Sequence, residues 1–428
     1  MASYPTDEVF QFRNFEHAGA FVNQNSGERA AAVFVFEQLG CILGQDMVFN
    51  LFPEKGKPPA IEEAKAFIKD KKPDLLIVAG GDGTVSLGLD ITDSLRDAGE
   101  LGPQDCPVAV LPMGTGNDLS RSMGFGAGYV KPANDAKKRF ARLINRILSA
   151  RRKLMDRFRL EVTLVPAEHR CGSARAASEE NADVRYEQTL GALQEAGTVE
   201  SFMQDNLSPQ ERQDLGTKPV YTKSFMNYFS IGFDADVVSS FGRFRDENPT
   251  ACTSRTVNKM WYGCFGCQAM VKSDSFPKRR VSLVIDGIET KVPSGVKALI
   301  VGNMLTYAGG SRLWRDRKDD ERFTPIAVDD KRVEVTGLTG VWHMVGVGTK
   351  TRQALRIGQG STIQLHMPAN FTMQYDGEPL PAPGDKYQDV CISIHHMRQS
   401  LGCELPKGIL LSTDDAVSLH AEEVVNPL

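Results

Sequence analysis

The residues best suited to chemistry sit in short polar turns that each follow an apolar run. The stretch "VAGGDGTVSLGLD" (78–90) places Asp82 among glycines, and "PMGTGNDLSR" (112–121) places Thr115, Asn117 and Asp118 around two more. A third turn, Asn23-Gln24-Asn25-Ser26-Gly27, follows the first apolar run. Glycines at a strand end let backbone N–H groups approach an anion, and a helix starting there adds the positive end of its dipole. In "GTGND" the side chains of Asn117 and Asp118 are suited to capping a helix that begins near "LSR". A carboxylate is a poor phosphate ligand, so what Asp82 does in such a turn is a question the turn alone leaves open. The chain carries no GxxxxGKS/T signature, and "GTGNDL" supplies only half of the GxGxxG dinucleotide fingerprint. Phosphate recognition by a different architecture is the expectation, with plain glycine turns and an N-cap as the bland alternative.

These turns need a scaffold. From residue 19 to about 155, short apolar runs at 20–22, 47–51, 75–79 and 108–111 alternate with helical patterns, which predicts an α/β domain with a parallel sheet. In such sheets the carboxyl ends of the strands share one edge, so the three turns should converge on one crevice. The stretch 136–153 reads as a helix with Phe140, Leu143, Ile144, Ile147 and Leu148 on one face and Lys138, Arg139, Arg142 and Arg146 in solvent. Packing on the sheet explains it, and weak attraction to a membrane surface is the alternative. From 156 to 403 the texture turns to alternating β patterns, predicting a β-rich sandwich or barrel. A polar, acidic insertion at about 166–219 interrupts it, and 1–18 and 404–428 read as an N-terminal extension and a tail.

A 41% hydrophobic, 24% charged composition over 428 residues gives two cores, and a net charge of −4 gives no general reason to bind nucleic acid. Eight scattered cysteines do not form a disulfide framework, and the CxxC at Cys264–Cys267 lacks a partner pair, so neither zinc nor an oxidising compartment is expected. No apolar run is long enough to cross a bilayer, and the first residues carry no leader pattern. A cytoplasmic protein is the expectation. Trp261, Tyr262, Phe265 and Trp314 read as core packing, with help at a bilayer as the alternative.

"GGDGT" (80–84) with "PMGTGNDLSR", followed by "NYFSIGFDADV" (227–237), "SRTVNKMWYG" (254–263), "TYAGG" (306–310), "VDDKRVEV" (328–335) and "MQYDGEPL" (373–380), resembles the diacylglycerol kinases, catalytic plus accessory segments, over roughly residues 18–395. The wording is most similar to the plant-type enzymes without cysteine-rich C1 modules. The resemblance implies a kinase domain of the fold shared with NAD kinases. It also implies ATP- and Mg²⁺-dependent phosphorylation of diacylglycerol to phosphatidic acid at a membrane surface, by a peripheral protein. It assigns ATP binding to Gly80, Gly81, Gly83, Thr84, Gly114, Thr115, Gly116, Asn117 and Asp118. Asn23, Ser26 and Gly27 join them as the counterpart of an NPxSG turn whose proline is missing here. Glu378 matches the general base, Asp82 an essential acid, and Asp156 in "LMDRF" a third member of that network. Asp330 falls where a DDG-type aspartate helps hold Mg²⁺, with Lys331 in place of the glycine. Asp234 and Asp236 resemble positions near the lipid headgroup, with turn or strand-edge aspartates as the alternative. Two close carboxylates raise each other's pKa, so one can accept an alcohol's proton while the other orients it. NAD kinases also carry "GGDGT" but would add an NxGxxGFL-like element, which is absent. The remaining alternatives are a ceramide or sphingosine kinase, and a non-catalytic membrane-binding scaffold of the same fold.

Overall fold

The computed structural model describes residues 14–405 apart from 27–28, 55–56, 167–219, 249–250, 252–256, 258–260, 262–263, 267–280, 316–321, 370 and 381–386. The insertion expected at 166–219 therefore lies almost wholly outside the described residues, as do Gly27, Tyr262 and Cys267.

All four apolar runs of the N-terminal half become strands: β1 (Ala18–Val22), β2 (Val48–Asn50), β3 (Leu75–Gly80) and β4 (Val108–Pro112). They pair in parallel in the order β2-β1-β3-β4, with Phe21, Ile77, Val78, Ala109 and Leu111 fully buried. Near-continuous burial suits a parallel sheet covered on both faces. Helices α1 (Arg29–Leu43), α2 (Ile61–Lys71), α3 (Asp82–Asp97), the short α4 (Asp118–Ser122) and α5 (Ala136–Leu148) complete the α/β unit. In α5 the stripe Phe140, Ile144, Ile147 and Leu148 is buried as its spacing requires, while Arg142 and Arg146 are only half-exposed.

The helix expected over 136–153 stops at Leu148. Asn14 ends it: its N–H donates to Leu148 O at 3.0 Å, and its side-chain amide donates to the carbonyls of Ser149 (3.1 Å) and Ala150 (2.9 Å), occupying acceptors a further turn would need. The chain then leaves as β5 (Arg151–Pro166), a long strand that contains Asp156.

Two sheets enclose the second core. β5, β6 (Val220–Phe225), β8 (Ser282–Ile285), β9 (Ile288–Glu289), β13 (Thr362–Pro368) and β16 (Tyr387–Glu404) continue the first sheet in antiparallel fashion. Six strands form the other in the order β12-β11-β10-β7-β14-β15: β7 (Tyr228–Gly232), β10 (Ala298–Gly302), β11 (Val333–Leu338), β12 (Leu355–Gly360), β14 (Met373–Tyr375) and β15 (Glu378–Pro379). Alternate residues of β5 (Phe158, Leu160, Val162, Leu164) and β13 (Ile363, Leu365, Met367) face Phe229, Ile231, Leu299 and Val335 across a sandwich. The outer face of the six-stranded sheet is covered by α6 (Phe233–Glu247) and α7 (Val341–Gly348).

β16 is the seam. It pairs with β5 along almost its whole length, and its Gly402 lies in parallel register with Val108 of β4, so one sheet runs through both halves. Helix α3 is fastened to that seam by a polar stripe at Ser86, Asp90, Asp93 and Asp97, four residues on one face. The fully buried Arg157 of β5 donates to Ser86 Oγ (3.3 Å) and Ser224 Oγ (3.1 Å) and pairs with Asp90 (2.8 Å). Asp93 accepts from Ser400 Oγ and Arg96. Asp97 takes a two-pronged bond from Arg398 (2.6 and 2.8 Å).

Candidate active site

The turns after β1, β3 and β4 meet at one sheet edge. Asn23 donates from its side-chain amide to Thr84 Oγ1 (3.0 Å), tying the first turn to the second. Gly81 and Gly114 lie back to back: a Cβ on Gly114 would stand 2.6 Å from Gly81 Cα. No side chain fits there, so these two glycines serve loop-on-loop contact, whereas Gly83 faces open space.

Asn117 does not cap α4. It sits in the left-handed region (φ 53°), which turns its amide back onto its own loop: Oδ1 accepts from Gly114 N–H (2.9 Å), and Nδ2 donates to Gly114 O and Ala127 O (both 2.7 Å). The cap comes from Asp82, whose carboxylate accepts from the N–H groups of Asp118 (3.1 Å) and Leu119 (3.3 Å). A residue of the second turn thus holds the start of the third turn's helix. Asp82 is half-buried as a residue, but its carboxyl is enclosed, and this burial, followed by the charge of Asp118, pushes it up to about 7.

Asp118 is buried and faces the C-terminal half. It accepts from Gly309 N–H (3.1 Å) and from Thr306 Oγ1 (3.2 Å) of the "TYAGG" segment, and burial raises its pKa. Asp376, at φ 47° before Gly377 at φ 84°, forms the two-residue turn between β14 and β15. Its enclosed carboxylate accepts from the N–H groups of Met226 (3.2 Å), Asn227 and Tyr228 (both 2.9 Å). Burial drives Asp376 up to about 6 despite those donors, and its charge reaches Asp82. Asp82 therefore feels the charge of an enclosed carboxylate from each half, Asp118 and Asp376. Glu378 follows two residues later on β15, exposed, opposite Tyr375.

The diacylglycerol kinase catalytic domain matches residues 17–170, and the diacylglycerol kinase accessory domain matches residues 224–379. The three turns and Asp82 lie in the first match, Asp376 and Glu378 in the second. The chain belongs to the diacylglycerol kinase family. It is 28% identical to diacylglycerol kinase 2 of Arabidopsis thaliana over 94% of its own length and 48% of that protein's. Against diacylglycerol kinase theta of Homo sapiens it is 32% identical over 72% of its length and 28% of the relative's. Against diacylglycerol kinase 4 of Arabidopsis thaliana it is 28% identical, over 85% and 76%. The chain thus spans about half the length of the first plant relative and less of the human one. A crystal structure of yeast NADH kinase complexed with NADH overlays with a TM-score of 0.38 at 13% identity, over all of this chain and 94% of that one.

The other residues singled out in the sequence take up places of their own. Asp156 is fully buried: one oxygen accepts from Lys331 N–H (2.5 Å), the other from Gln399 Nε2 (2.9 Å) and His396 Nε2 (3.0 Å), and its carbonyl accepts from Asn303. It fastens the "VDDK" loop to the seam. Asp330 accepts from Arg332 N–H (3.0 Å), and burial raises its pKa. Lys331 occupies the left-handed position (φ 64°) where the family pattern has glycine. No set of three His, Cys, Asp or Glu residues able to hold a metal comes together among the described residues, and both oxygens of Asp156 are engaged. A Mg²⁺ there would draw on Asp330 and on the waters it keeps rather than on Asp156.

Asp234 and Asp236 lie in the first turn of α6, not on a strand edge, because the β pattern of "NYFSIGFDADVV" breaks at Gly232 (φ 111°). Asp234 is an internal strut: its Oδ2 accepts from Ser230 Oγ and Tyr307 OH (both 2.5 Å) and from Gln374 Nε2 (3.1 Å). Asp236 is half-buried. Trp314 is core, donating to Thr324 O (3.2 Å) beside Phe323. Trp261 and Phe265 pack with Phe244. Asp376, the member of the "DGE" motif with an enclosed carboxyl, was missed as a site residue: an Asp-Gly pair between strands reads first as a turn, and its carboxylate environment is set by residues about 150 positions away.

Proposed function

We propose that this chain is an ATP-dependent lipid kinase that phosphorylates the free hydroxyl of 1,2-diacylglycerol at a membrane surface, yielding phosphatidic acid and ADP. The observation that carries the reading is the coupling of Asp82, which bridges the two glycine turns, to Asp376 on the hairpin that leads to Glu378. Nucleotide-turn chemistry and a second carboxylate source thus meet across the two halves. ATP enters with Mg²⁺ as the substrate complex, its phosphates received by Ser26, Thr115 and the backbone donors of 80–84, 115 and 116. Phosphoryl transfer depends on positioning and on neutralising charge at the γ-phosphate. Glu378 takes the proton of the acceptor hydroxyl as its oxygen bonds to the γ-phosphorus and the bond to the β–γ bridging oxygen breaks. Asp82 and Asp376 fix the turns and share the field that tunes this proton transfer. Among the described residues no helix is long and apolar enough to cross a membrane, consistent with a substrate met at the surface.

The test is purified protein with labelled ATP, Mg²⁺ and mixed micelles of diacylglycerol, ceramide, sphingosine or monoacylglycerol, with NAD as a soluble control. Label in diacylglycerol, lost in Glu378→Gln, supports the proposal. Preferential label in ceramide or sphingosine reassigns the substrate, and label in no lipid from a folded protein leaves a membrane-binding scaffold.

A further inference from the structure

Helix α7 has a side that nothing in the described structure covers. Its sequence, "VWHMVGVG", is almost wholly apolar, and its inner residues are accounted for: Val347 is in the outer core, with Val341 and Met344 packed against it. His343 locks the helix in place. Its Nδ1 accepts from Thr339 N–H (3.1 Å), and its Nε2 donates to Gln353 O (2.7 Å). The outer residues are Trp342, 68% exposed, and Val345, 41% exposed, three positions apart and therefore side by side. Other exposed apolar side chains are scattered singly, as on any soluble surface. A tryptophan left two-thirds bare beside a valine on a rigid helix is an interaction surface.

Charge names the occupant. No Asp or Glu occurs between Glu334 and Asp376, while Lys350 and Arg352 follow the helix directly and are exposed. Arg352 lays its aliphatic stem on Gly346 of α7, where a Cβ would meet it at 2.8 Å, and keeps its charged head in solvent. Arg312, across from the helix end, is also exposed. An apolar ridge with an indole at its crest and cations at its foot matches an anionic bilayer: indole favours the headgroup boundary, and each cation adds attraction to acidic lipid. The ridge also adjoins the candidate active site. Gly348 borders Ser311, Arg315 donates to Val347 O (3.2 Å), and the same segment gives Gly309 N–H to Asp118.

We infer that the outer face of α7, with Trp342, Val345, Lys350 and Arg352, docks this chain onto an anionic lipid bilayer beside the entrance for its acceptor. This rests on the lipid-kinase reading for its purpose but not for its test.

The experiment is vesicle flotation of the whole chain with phosphatidylcholine alone and with phosphatidylcholine and phosphatidylserine in equal parts. Trp342→Ser/Val345→Ser is expected to weaken binding to both by about tenfold or more. Lys350→Glu/Arg352→Glu should weaken binding only to the anionic vesicles, by roughly 30-fold at low salt. Turnover of a short-chain diacylglycerol dissolved below its micelle concentration should stay at the wild-type level in both variants, with an unchanged melting temperature. Vesicle binding unaltered by either variant overturns the inference, whatever the kinase assay gives. So does a Trp342→Ser/Val345→Ser variant that loses self-association in sedimentation yet floats normally, since the face then belongs to a second copy. Loss of flotation in the variants together with a wild type inactive on every lipid keeps the docking face and removes the lipid-kinase reading instead.

Discussion

Replacing Asp82 with asparagine should exchange stability for activity in a pH-dependent way. The carboxyl is pushed from 3.8 to about 7, chiefly by burial and next by Asp118. Because the folded value lies above the unfolded one, the folded protein holds a proton that the unfolded chain releases, and stability falls as pH rises toward and through 7. A shift of roughly three units corresponds to at most about 4 kcal/mol, and sharing the burden with Asp118 and Asp376 leaves about 3 kcal/mol for Asp82 alone. Asparagine removes this penalty but keeps only one acceptor for the N–H groups of Asp118 and Leu119, at a cost of about 1 kcal/mol. Urea unfolding followed by tryptophan fluorescence from about pH 3 to about pH 8 should show the variant just under about 1 kcal/mol less stable at the acid end and about 2 kcal/mol more stable at the alkaline end, the curves crossing at roughly pH 4.5, where the wild type has already lost about 1 kcal/mol. Turnover in mixed micelles should fall ~10²–10⁴-fold, the range for removing an acid–base group. Parallel stability profiles would refute the enclosed-carboxylate argument, and a variant retaining a tenth of wild-type turnover would remove Asp82 from the chemistry.

Three further outcomes are expected. Gly114→Ala should drive its methyl into Gly81 and separate the two turns, costing about 1–3 kcal/mol of stability and raising KM for ATP more than it lowers kcat, read from initial rates and melting curves. Arg157→Ala should cost about 2 kcal/mol in urea unfolding, less than for a fully buried pair because Asp90 is half-exposed, while stranding Ser86 and Ser224. Glu334, buried with one oxygen on Gln359 Nε2 (2.9 Å), is pushed up to about 8 by burial. The wild type should therefore lose stability as pH rises from about 4.5 toward 8 and level off above it, and Glu334→Gln should flatten the fall in melting temperature between about pH 5 and about pH 8.

Much of the scaffold could be read from local pattern. The runs at 20–22, 75–79 and 108–111 are strands because a buried parallel sheet needs unbroken apolar segments, and the turns after them meet because parallel strands share an edge. What escaped depends on partners far away in sequence. The helix was carried past Leu148 because its terminator, Asn14, lies more than 130 positions earlier. The cap expected of Asn117 comes instead from Asp82 because a left-handed φ at Asn117 cannot be told from a helix-capping one by residue type. The stripe Ser86, Asp90, Asp93 and Asp97 gives no local sign of its anchoring role, because Arg157, Ser400 and Arg398, which it meets, come from β5 and β16. Glu378 is singled out by the family motif, whereas the enclosed carboxyl of Asp376 two residues before it acquires its character only from the backbone of 226–228.

The position of β16 has a consequence for how the chain is made. A ribosome delivers β1 to β4 first, yet the strand that lies against β4 and receives the Asp93 and Asp97 contacts of α3 is among the last described residues to emerge. Closing the sheet must await β16, joining residues some 300 positions apart, the kind of non-local pairing that slows folding. The glycine turns therefore receive their final support only once β16 has been made, and a fragment ending near residue 155 should be a poor folder in which Asp90, Asp93 and Asp97 of α3 lack their partners on β5 and β16.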